Sequence, residues 1–159
     1  MHMVQLAHAT KASAPRSDTV KVAAWVYAAV LTVMVVAQLF AFENFLPLLR
    51  GYNLPGGNGT ASLVGCLIVL CEVFAIPFLL RMPLSTLMRW TSLVFSVMAP
   101  LLWVKLSLWA IMTGVTLENS GLVGTKVTIH PGVVPLLLAL ILFALSVWTA
   151  WGLWPAKKQ

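Results

Sequence analysis

Two ionisable side chains stand inside otherwise apolar stretches: Glu72 in Leu70-Cys71-Glu72-Val73-Phe74, and Lys105 in Trp103-Val104-Lys105-Leu106. A charge near the middle of a membrane-crossing helix costs roughly 3 kcal/mol, so it calls for a partner or a function. Measured along their helices at 1.5 Å per residue, Glu72 lies about 13.5 Å from Arg81 and Lys105 about 24 Å from Arg89. Helical side chains lean toward their own N-terminus, which tilts these two toward each other across the gap. An ion pair between them is therefore geometrically open. Glu43, at the far end of the first apolar run, competes for Lys105, and the sequence does not choose between the carboxylates. Such a pair would either fix helix packing or carry function, since buried ion pairs are best attested as specificity devices.

Gln38 shares a helix face with Tyr27, Leu31, Met34 and Ala41, so it should point inward and make one interhelical hydrogen bond. Glu72 shares a face with Ala61, Gly65 and Ala75, and Ala61-xxx-Gly65 is a small-xxx-small pattern that lets backbones approach. His130 and Glu118 form a candidate metal site in the last loop, but two ligands are few, and a solvated histidine is the simpler reading. Cys66 and Cys71 lie about 140° apart around one helix, so they neither pair nor chelate and read as small buried hydrophobes. No phosphate loop, nucleophile elbow or His-Glu-x-x-His is present, which argues against a self-sufficient enzyme.

The elements that must hold these residues follow from composition. Of 159 residues, 60% are hydrophobic and only 9% charged, too little polar material to cover a soluble globule. A spanning helix needs about 20 apolar residues, so the length allows about four crossings. They are predicted over Val22–Phe42, Ala61–Leu80, Trp90–Met112 and Val133–Trp154, giving an all-α, four-helix integral membrane bundle as one domain over residues 21–155. Residues 1–20 and 156–159 are expected to be loose tails. Pro77 and Pro100 should bend their helices without ending them. Lys126-Val127-Thr128-Ile129 alternates like a strand and is a candidate for a short β ribbon capping the bundle.

The net charge of +6 is spread along the chain beside apolar runs, which suits lipid headgroups and not nucleic acid. Lys11, Arg16, Lys21, Arg81, Arg89, Lys157 and Lys158 fall on one side of the predicted membrane, against Arg50 and Lys126 on the other. That asymmetry places both termini in the cytoplasm. Trp25, Trp90, Trp151 and Trp154 would form the cytoplasmic aromatic belt, with Tyr52 and Trp109 toward the outer face.

Phe45-Leu46-Pro47-Leu48-Leu49-Arg50-Gly51-Tyr52-Asn53-Leu54-Pro55, followed by an apolar helix bearing Glu72, resembles the DoxX-like and MauE-like family of four-helix bacterial membrane proteins. The likeness covers about a third of the chain, from Gln38 to Leu80. It implies a multi-pass protein of the bacterial inner membrane that acts as an accessory or membrane subunit of a redox or quinone-linked system, with quinone as the implied cofactor and a redox protein as the implied partner. Glu72 matches the family's helix-2 glutamate. The MauE-type cysteine cluster has no counterpart in Glu118-Asn119-Ser120-Gly121-Leu122-Val123-Gly124, so a thiol role does not carry over. The alternatives are a small proton-coupled transporter using Glu72 and Lys105, for which a homo-oligomer is expected, and a purely structural bundle.

Overall fold

The computed structural model describes residues 9–154. Lys157 and Lys158, the predicted tail at 156–159 and the first eight residues of the predicted N-terminal tail lie outside them. The chain forms α1 (Asp18–Phe40), α2 (Phe42–Arg50), α3 (Gly57–Leu79), α4 (Thr86–Thr113) and α5 (Val133–Leu153). All but α2 are long and apolar enough to cross a membrane. They run alternately up and down in a closed ring, with α1 and α4 on opposite corners, each packed against both α3 and α5.

Local signals explain the ends. Ser17 caps α1 by accepting the Val20 amide at 3.3 Å, which starts the helix four residues before the apolar run suggests. Ser85 caps α4 through the Met88 amide at 3.2 Å, and Gly114 ends it at φ 64°. The chain kinks at Ala41, and the amphiphilic piece after it becomes α2, which seats Phe45 and Leu49 in the core. A Cβ on Gly65 would stand 2.6 Å from Leu49 Cδ1, so the small-xxx-small pattern admits α2 and not only a long helix.

The two prolines create polar joints. Pro100 has no amide for the Ser96 carbonyl four residues back, and that carbonyl instead accepts the Tyr27 hydroxyl from α1 at 2.6 Å. Near Pro77, the Ser92 hydroxyl inserts into the α3 ladder, accepting the Phe78 amide at 3.1 Å and donating to the Phe74 carbonyl. Apolar side chains such as Val22, Val33, Leu63 and Ile141 cover the outside, while Gln38, Glu72, Ser92, Ser96, Ser146 and Thr149 are buried. Polar groups inside and hydrocarbon outside is the arrangement a bilayer requires.

Two expectations are corrected. No strand forms among the described residues, and Lys126–Ile129 is no ribbon. The Asn119 side chain organises that loop instead, accepting from the Gly121 and Ile129 amides at 3.0 and 3.4 Å and donating to the Gly124 carbonyl at 3.1 Å. Residues 9–17 are not loose: Arg81 donates to the Ser13 carbonyl at 3.0 Å, Arg89 to the Thr10 carbonyl at 2.8 Å, and Arg16 lies 4.2 Å from the Trp151 ring. Tyr52, just past α2, is buried and donates to the Ser120 carbonyl at 2.8 Å.

Candidate functional site

The centre of the bundle is a polar cluster contributed by three helices and a loop. Glu72 (α3) and Gln38 (α1) have no solvent-exposed surface. Trp103 of α4 donates its indole N–H to Glu72 Oε1 at 2.9 Å. Gln38 Nε2 reaches the same oxygen at 3.4 Å and the Leu122 carbonyl at 3.4 Å. Glu72 Oε2 and Gln38 Oε1 are buried without a hydrogen-bond partner, as is the Ser120 hydroxyl. Buried polar atoms are nearly always satisfied, so two orphaned oxygens on adjacent side chains mark a place where a proton or a further donor fits.

Lys105 supplies no counter-charge. Trp103 is two residues earlier on α4, about 200° around the axis, so the rotation that gives Trp103 to Glu72 turns Lys105 outward. Lys105 is exposed, in a groove with Pro55, Val64 and Trp109. Its expected pairing with Glu72 is therefore corrected. Glu43 is no substitute: it is exposed in the first turn of α2 and makes no ion pair with Lys105. Glu118 and His130 are both exposed on the last loop, where the Ser120 amide bonds the Ile129 carbonyl and aligns their two segments. No group of three metal-ligating side chains gathers among the described residues. Cys71 is buried as expected, whereas Cys66 is exposed on the apolar outer surface.

An apolar groove of about 430 Å³ lies between α1 and α5, open to the outside and lined by residues that include Val30, Met34, Leu122, Leu138 and Leu142. Two of these residues connect it to the polar cluster. Met34 is one helical turn before Gln38, and the Leu122 carbonyl is Gln38's acceptor. Gly121 and Gly124 flank this wall at φ 80° and 73°, and a Cβ on Gly124 would meet the Ala37 carbonyl oxygen at 2.7 Å. Glycine at 124 is what lets the loop backbone lie on α1.

The arrangement can hold a proton at the Glu72 carboxyl and an apolar chain in the groove. Sequence reasoning found Glu72 and Gln38 but missed Trp103 and the Leu122 carbonyl. A signal for Trp103 exists: an indole ten residues inside its helix, away from either interface, needs an acceptor at that depth. Nothing marks a backbone carbonyl in advance. Compared with known proteins, the chain matches no family model, no curated protein and no solved structure.

Proposed function

We propose that this protein is a DoxX-like membrane subunit of a redox or quinone-linked system in the bacterial inner membrane, with both termini in the cytoplasm. One observation carries the reading: the Trp103–Glu72–Gln38 cluster is bonded to the wall of a groove that opens where lipid would be. The groove suits a lipid-soluble chain, and the orphaned Glu72 Oε2 and Gln38 Oε1 suit a polar head or a proton. A quinone supplies two-electron, two-proton chemistry when bound. This chain's own part is to bind the tail along Met34, Leu138 and Leu142, to exclude water, and to hold a proton at Glu72. The absence of a recognisable catalytic motif fits an accessory role beside a redox protein. The orientation rests on Lys11, Arg16, Lys21, Arg81 and Arg89 lying at the end of the bundle that holds the start of α1.

Glu72→Gln tests this in the native membrane. It should weaken co-purification with the redox partner in mild detergent while the bundle stays folded. Proton-coupled transport is the second reading, favoured by a buried carboxyl with a free oxygen, but its proposed counter-charge faces away. Loss of uptake or efflux in vesicles on Glu72→Gln, with no partner affected, would select it.

A further inference from the structure

The second apolar groove has a cation in its wall. It runs for about 280 Å³ between α3 and α4 beneath the α2–α3 connection, lined by Pro55, Thr60, Val64, Leu102, Leu106 and Trp109 together with Lys105. Lys105 is exposed and lies eight residues before the end of α4, about 12 Å along the axis. Its aliphatic stem can follow the groove while its ammonium rises toward the interface. An unpaired ammonium beside a surface that faces hydrocarbon is costly, so an anion next to it at the interface is favoured. Among the described residues none pairs with it: Glu72 faces the opposite side of α4, and Glu43 forms no pair with it.

The geometry points to a phospholipid site in which the phosphate of an anionic lipid from the surrounding leaflet meets Lys105 and one acyl chain lies in the groove. Charge complementarity selects the anionic headgroup, and the almost wholly apolar lining selects the chain. This site is separate from the α1–α5 groove and does not depend on what that groove binds.

Native mass spectrometry of the full chain, released from detergent containing equal amounts of phosphatidylglycerol and phosphatidylcholine, tests it. The wild type should retain phosphatidylglycerol in preference. Lys105→Met should reduce that retention about fivefold, the factor one lysine contributes at an anionic lipid surface, and Lys105→Arg should restore it. Leu102→Trp, which fills the groove, should remove the bound lipid with Lys105 intact. Equal retention of the two lipids by the wild type overturns the proposal, as does unchanged retention in Lys105→Met. An equal loss from Arg50→Met, a cation at the same end but outside the groove, also overturns it by showing only general attraction to charge. A dimer that depends on Lys105 would assign the groove to a second copy and overturn it too.

Discussion

Trp103 and Glu72 are joined across the α3–α4 interface by an indole N–H to carboxyl hydrogen bond of 2.9 Å, in a core with no cation in contact. Replacing Glu72 with Leu leaves the Trp103 N–H without an acceptor and leaves Gln38 Nε2 with the Leu122 carbonyl alone. The expected loss is about 1–3 kcal/mol of folding stability, from one buried donor left unsatisfied. Glu72→Gln keeps an acceptor oxygen at nearly the same volume and removes the charge, so it should unfold at or above the wild-type midpoint. Equilibrium unfolding in mixed detergent micelles compares the two variants.

Lys105→Met should change that stability by less than about 0.5 kcal/mol, the usual scale for an exposed substitution. Breaking a buried ion pair costs about 3–5 kcal/mol, so the same unfolding experiment separates the observed geometry from a Glu72–Lys105 pair. A loss in the larger range would place the lysine back in the core.

Gly124→Ala should destabilise the last loop by at least about 2 kcal/mol. The residue adopts φ 73°, which costs an L-residue about 1–2 kcal/mol, and its Cβ would stand 2.7 Å from the Ala37 carbonyl oxygen. Faster hydrogen exchange of the amides at positions 121 and 124 in the variant would report the loosening.

Burial holds the Tyr52 phenol well above the ordinary tyrosine range. A phenol raised in this way contributes stability that is full below the unfolded value near 10 and is lost as pH rises through the folded value. In Tyr27→Phe, where Tyr52 is the remaining tyrosine of the chain, ultraviolet titration should show almost no phenolate at pH 10 until the protein unfolds. Half-ionisation at that pH in the folded state would contradict the burial.

Apolar run length made the four helices long and apolar enough to cross a membrane legible in the sequence, and helix-face arithmetic placed Gln38 and Glu72 inward, because both signals are local and periodic. What it did not carry was the relative rotation of the helices. Lys105 looked like a partner for Glu72 on height and lean alone, yet its azimuth is set by Trp103, whose indole fits the carboxyl and turns the lysine away. The docking of residues 9–17 was equally hidden. Their polar composition reads as a solvated tail, whereas their backbone carbonyls are taken by Arg81 and Arg89 from another part of the chain. Alternation at Lys126–Ile129 suggested a strand, but no partner segment was free, since the Asn119 side chain had already engaged the Ile129 amide.

The link between the buried cluster and the lipid-open groove is tested most directly by measuring quinone bound per chain after purification in mild detergent. Leu138, at the rim of the α1–α5 groove, is partly exposed, so Leu138→Trp fills the groove without disturbing the core. The wild type should carry quinone, and Leu138→Trp should lose most of it at an unchanged unfolding midpoint. Equal quinone in both proteins, or none in either, would contradict the account.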